Sequence, residues 1–271
     1  MERRTYLRSL GAAGTVGLAG LAGCLEDSLG AVGGDESDET HWGDGSTVLE
    51  PPEQTRGDPS HPIHGEGFPE FTLPDPIGGD PVSLENLVGE RSFLMTFFFT
   101  SCPDGACPAL MTYFQRIQAD AAEQGYGDDI SLLAMTFDPE RDDAAALAEF
   151  AAQQGVDHEA DNWHFLRPES YEGGKETLHD DFGMRIRRVE EDELEDREDH
   201  DGHDHGYSFD HINLILLANE DGIVERSYPQ ALNEDLGGGA QRVLEDTRAV
   251  VAGQHSELDL ETESESDSNT A

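Results

Sequence analysis

Phe93-Leu-Met-Thr-Phe-Phe-Phe-Thr-Ser-Cys-Pro-Asp-Gly-Ala-Cys-Pro108 is a run of β-formers that ends abruptly at two cysteines, each followed by proline. Residues 93–99 are apolar without alternation, as suits a central strand covered on both faces, although periodicity alone leaves strand against helix open. The shortness of the run and the breakers beyond it decide for strand, so the chain is expected to carry two thiols at the tip of a buried strand. Pro108 suits the first position of the following helix, where its missing N–H would have had no partner. That places Cys107 at or near the N-cap, where the helix dipole and free N–H groups favour a thiolate. A thiolate is both a nucleophile and a soft metal ligand, so redox or metal chemistry is expected at this point.

Upstream, residues 71–84 read as an extended segment, a turn and a second short strand. Downstream, Leu110, Met111, Phe114 and Ile117 recur at helical spacing, and Gly125 supplies a stop. Residues 130–137 form the next apolar run, and Asp138-Pro139-Glu140-Arg141-Asp142 turns it into an Ala-rich helix reaching about Gln154. A third strand (163–166) and a weaker helix (171–182) follow, and the alternation implies parallel pairing with right-handed crossovers. Residues 189–205 carry ten carboxylates with His200, His203 and His205, and read as a surface loop or hairpin insert. Residues 211–218, the turn Asn219-Glu-Asp-Gly222 and residues 223–228 read as a hairpin. A closing helix over 232–251 is interrupted by Gly237-Gly-Gly239. This is the element order of a thioredoxin-like fold: an α/β domain with a central mixed sheet flanked by helices, a β-hairpin and an acidic His-rich insert.

The net charge of −43 over 271 residues, with Lys175 the only lysine among 16 basic residues, excludes nucleic acid as a partner, because phosphates would be repelled throughout. Acidity spread along the whole chain reads as adaptation to high salt. Four regions are expected: residues 1–24 as an export signal, 25–67 as a disordered acidic tether, 68–252 as the folded domain and 253–271 as a disordered acidic tail. His61 and His64 are read as solvated tether histidines. Arg3-Arg4-Thr-Tyr-Leu-Arg8 resembles a twin-arginine signal, and Leu21-Ala-Gly-Cys24 resembles a lipobox whose cysteine is lipidated. The protein is therefore expected outside the cytoplasm, tied to the cell membrane by a lipid on Cys24.

Phe99-Thr-Ser-Cys-Pro-Asp-Gly-Ala-Cys-Pro108, with Asp138-Pro-Glu-Arg-Asp142 after the next strand and Asp210-His211 opening the hairpin strand, resembles the Sco/SenC family of copper proteins over residues 70–252. The resemblance implies copper ligation by Cys102, Cys107 and His211. It also implies a role in assembling the copper site of cytochrome c oxidase subunit II or a similar copper-site protein. Four residues separate the cysteines here where that family usually has three, and Gly105 is able to absorb the extra one at positive φ.

The donor set itself points the same way: two thiolates and an imidazole suit soft Cu(I) and accommodate Cu(II) with a further ligand. Asp210 is a candidate to orient the imidazole and Asp138 to tune the thiols. Asp138, Pro139, Arg141 and Asp142 are otherwise read as a strand-end turn and helix cap. His200, His203 and His205 have spacing suited to auxiliary metal capture. The rival class is an enzyme in which Cys102 and Cys107 cycle between dithiol and disulfide, reducing the cysteines of the oxidase copper site or a peroxide. Oxidoreductases of this fold normally place a cis-proline where Asp210-His211-Ile212 stands, and a histidine there favours metal binding.

Overall fold

The computed structural model describes residues 42–53, 59–190, 193, 206–233, 239–255, 258 and 260. Strands β1 (Thr72–Leu73) and β2 (Val82–Ser83) pair antiparallel and lead into one turn of helix, α1 (Leu84–Leu87), capped by the Ser83 hydroxyl. The apolar run becomes β3 (Ser92–Phe98), buried at every residue. Then come α2 (Ala106–Gln124), β4 (Ile130–Thr136), α3 (Ala144–Gln154) and β5 (Trp163–Leu166). Helix α4 (Tyr171–Glu176) runs on into a π turn, Thr177–Asp181. β6 (Arg187–Glu190) and β7 (Tyr207–Asp210) form an antiparallel ribbon. β8 (Leu214–Ala218), β9 (Val224–Pro229) and α5 (Gly239–Gln254) complete the described fold.

The main sheet has the order β5-β4-β3-β8-β9, with β3, β4 and β5 parallel and β8 and β9 antiparallel to their neighbours. It is the mixed thioredoxin-like sheet expected, with β3 at its centre. Helix α2 lays Leu110, Met111, Phe114 and Ile117 into the core, and Phe98 stacks on Phe150 of α3. Helices α2 and α5 are tied by Asp120, which pairs with Arg248 and accepts from the Tyr126 hydroxyl at 2.5 Å. No helix among the described residues is long and apolar enough to cross a membrane.

The expected start of the domain at Phe68 is too late. Residues 42–53 and 59–67, read as part of a disordered tether, lie on β9. The Gly43 and Gly45 amides donate to the His64 and Gly65 carbonyls at 2.9 and 2.8 Å, and the Val224 amide donates to Glu66 O at 2.8 Å. Glu225, fully buried, accepts from the Val48 amide at 2.8 Å, the Leu49 amide at 2.9 Å and Asn219 Nδ2 at 2.7 Å. His64 is not solvated but buried, its Nδ1 2.9 Å from the Glu225 carbonyl and its ring edge-on to Trp42. A buried carboxylate needs donors, and this segment supplies them from its backbone. At the other end, Leu258 and Leu260, placed in the expected tail, pack against the core.

Candidate metal centre

β3 delivers the two cysteines, and the turn after β4 fixes where they go. The Thr100 amide donates to both Asp142 carboxylate oxygens (3.3 and 3.2 Å) and its hydroxyl donates to Oδ1 at 2.5 Å. Thr136, at the end of β4, donates to the same carboxylate. Asp142 is completely buried, and burial pushes its carboxyl up despite these donors. It is the pin that holds the root of the cysteine loop, while Asp143 caps α3.

The loop then closes on itself. Asp104 Oδ1 accepts from the Ala106 amide at 3.0 Å and lies 2.9 Å from Cys102 Sγ. Gly105, at φ 74°, caps α2, so the helix begins at Ala106 and Cys107 sits in its first turn rather than at the cap. The Cys107 amide, one of the unsatisfied donors of that turn, points at Cys102 Sγ at 3.4 Å. Cys107 is fully buried and Cys102 partly so.

His211 does not open the hairpin strand, as the sequence suggested; it lies in the short link between β7 and β8. Its Nδ1 is held 3.1 Å from the Ile212 carbonyl, and its ring is flanked by Phe137 (5.0 Å between centroids) and Phe99 (5.9 Å). The donor atoms of Cys102, Cys107 and His211 all lie within 4.8 Å of one another, the one such group of three among the described residues. Metal–sulfur and metal–nitrogen bonds of about 2.0–2.3 Å set trigonal donors about 3.5–4 Å apart, so a modest inward movement of the side chains makes room for an ion.

A model of the SCO1/SenC family matches residues 65–237. The chain belongs to this family. Among solved structures, a SCO1/SenC family lipoprotein from Bacillus anthracis is 19% identical, with 68% of this chain and 94% of that one covered and a TM-score of 0.51. ScoI from Arabidopsis thaliana, solved with copper bound, is 20% identical, with 70% and 99% covered and a TM-score of 0.50. At these identities the likeness shows the fold. No curated protein matches the sequence.

In this SCO1/SenC chain the two thiols are electrostatically unequal, and Cys107, expected to be favoured as a thiolate at the helix start, is not. Hydrogen bonding from Cys107 and, against the cost of burial, from His211 lowers Cys102 from 9.0 to about 6. Burial, with the neighbouring Cys102, pushes Cys107 well above the ordinary thiol range. The Cys107 thiol and the His211 imidazole therefore favour the thiolate at Cys102, with the Cys107 amide of the helix start a smaller donor to the same sulfur. Burial pushes His211 down, but contact with Cys102 and the Ile212 carbonyl raises it on balance.

The flanking acids expected to serve this SCO1/SenC centre do other work. Asp210 pairs with Arg187 at 2.7 Å on the ribbon surface, while the imidazole is oriented by a backbone carbonyl. Asp138 pairs with Arg141 and accepts from the Tyr207 hydroxyl at 2.8 Å, facing the ribbon rather than the thiols. His200, His203, His205 and Cys24 lie outside the described residues. Sequence reading missed Asp104 and the positional role of Asp142. An Asp two residues before the helix start is an Asx-turn signal that was available for the first; the second needed the fold.

Proposed function

We propose that this chain binds copper through Cys102, Cys107 and His211. It would pass the copper to the copper site of cytochrome c oxidase subunit II or a similar copper-site protein. The observation that carries the proposal is the convergence of two sulfurs and one imidazole nitrogen within 4.8 Å. Soft thiolates select Cu(I), and the imidazole completes a three-donor set that also accommodates Cu(II). Cys102, already biased to the thiolate, is the first donor, and loading displaces the remaining thiol proton. Family membership supports the assignment, as does the copper-bound state of the Arabidopsis ScoI structure. The twin arginines and the Leu-Ala-Gly-Cys24 stretch support an extracytoplasmic protein held to the cell membrane by a lipid on Cys24.

Anaerobic copper titration tests the centre. The wild type takes up one Cu(I); Cys102→Ala or Cys107→Ala abolishes stoichiometric uptake. His211→Ala leaves two thiolates, retains Cu(I) and loses Cu(II) with its sulfur-to-copper charge-transfer band. Absence of copper uptake by the reduced wild type overturns the proposal. The depressed Cys102 supports a second activity at the same residues: its thiolate attacks a partner disulfide, and Cys107 then resolves the mixed disulfide, so the partner leaves as dithiol and this chain as disulfide. Under that reading His211→Ala retains reductase activity, with its pH dependence moved upward because His211 helps lower Cys102.

A further inference from the structure

The two cysteines ride on the main sheet, but the histidine does not. The β6–β7 ribbon is a separate two-stranded sheet, and β7 runs straight into His211. Among the described residues, Tyr207 makes several of the contacts that fasten this ribbon, beside the Arg188–Glu140 pair at 2.8 Å and the packing of Phe209. The Tyr207 ring meets two guanidinium groups, Arg141 from the turn after β4 at 3.8 Å from the centroid and Arg188, on β6 of the ribbon itself, at 3.4 Å. Its hydroxyl donates to Asp138, and its carbonyl accepts from Arg141 Nη1 at 3.0 Å. Asp138 and Arg141 belong to the turn after β4, the same turn whose Asp142 pins the cysteine loop through Thr100. Tyr207 therefore joins the histidine-bearing ribbon to the element that locates the thiols.

Two residues further along β7, Phe209 packs at 5.1 Å from Phe99 and 5.2 Å from Phe137, the two rings that flank His211. The imidazole is thus held against an aromatic platform only as long as β7 stays down. We propose that Tyr207 is a positioning residue for His211: held to the turn after β4 by Arg141 and Asp138, it keeps the ribbon docked and so sets whether the centre offers three donors or two. Two thiolates alone favour Cu(I), and the imidazole adds the preference for Cu(II), so docking of the ribbon biases which oxidation state is held. This role deepens the copper proposal above and can be measured without copper.

The test uses the full chain in molar KCl. In the metal-free protein, NMR reads the His211 ring protons, which the Phe99 and Phe137 rings displace by ring current in the docked state. Tyr207→Leu should bring them toward free-imidazole positions while resonances of core residues such as Met95 and Leu133 stay in place. In copper titrations the same variant should keep one Cu(I) and lose about 10–100-fold in Cu(II) affinity, the cost typical of losing support behind a ligand. The double variant Tyr207→Leu/His211→Ala should be no worse than His211→Ala alone. Unmoved His211 resonances in Tyr207→Leu, or weaker Cu(I) binding by the double variant than by His211→Ala, overturn the role. If Tyr207→Leu does not fold, Tyr207→Phe, which removes the hydroxyl's hydrogen bonds to Asp138 and Glu140, and Arg141→Gln, which removes the guanidinium joining the Tyr207 ring to the turn after β4, should each shift the resonances part of the way; no shift in either overturns it. Wild type without copper uptake, but with His211 resonances that still follow Tyr207, defeats the copper proposal and leaves the positioning role standing. Copper uptake with resonances and Cu(II) affinity indifferent to Tyr207 does the reverse.

Discussion

Cys102 and Cys107 are chemically the same thiol in two environments. One receives a hydrogen bond from the first turn of a helix and faces an imidazole; the other is sealed in the core. In the metal-free protein at pH 7, iodoacetamide should therefore modify Cys102 first, with a rate that rises with pH to a plateau through an inflection near the lowered value of about 6. His211→Ala removes a group that lowers Cys102, so the inflection should move upward. Cys107 should stay unmodified until the domain unfolds. Mass spectrometry of the alkylated peptide over a pH series checks all three, and equal labelling of both cysteines at pH 7 would contradict the inequality. The sequence located both thiols but expected the helix start to favour a thiolate at Cys107, which burial instead disfavours. Pro108 argued for the first helical position, whereas Gly105 adopts the left-handed conformation and starts the helix earlier, carrying Cys107 inside.

At the scale of elements, the apolar runs together with their lengths and the breakers that bound them were sufficient to find β3, β4, β5, β8 and the helical face of α2, because each is a local pattern. What the pattern did not carry were the links made by buried polar groups. The pin from Asp142 to Thr100 and the bond from Asp120 to Arg248 span long sequence separations and leave no periodic trace. Asp120 offers a direct check. Burial pushes its carboxyl up, but Arg248 and Tyr126 more than offset this and hold it below 3.8. Because the folded value lies below the unfolded one, the α2–α5 tie contributes stability above about pH 3.8 and loses it as pH falls through the lower folded value. Asp120→Asn should cost about 2 kcal/mol at neutral pH, measured by urea unfolding, and should flatten that part of the acid limb. An unchanged midpoint would show that the tie is decorative.

For the whole molecule the governing quantity is the net charge of −43. Unscreened carboxylates repel across about 30 Å at 0.01 M salt but only about 3 Å at 1 M, so screening should favour the folded state strongly. The unfolding temperature, followed by circular dichroism from low to molar KCl, should rise steeply. A flat response would place the acidity outside the folded domain's energetics. The segment lying on β9 bears on a different hazard, proteolysis. Its two parts are joined through residues 54–58, so one cut there would free residues 42–53, the piece whose Val48 and Leu49 amides donate to Glu225 and whose Trp42 meets His64 edge-on. A fragment trimmed to Gly65, where the family match begins, carries the same defect: an interior carboxylate facing the vacated side of β9, with Asn219 as its remaining described donor. Truncation ahead of Trp42, unlike truncation to Gly65 or Phe68, spares every one of these bonds.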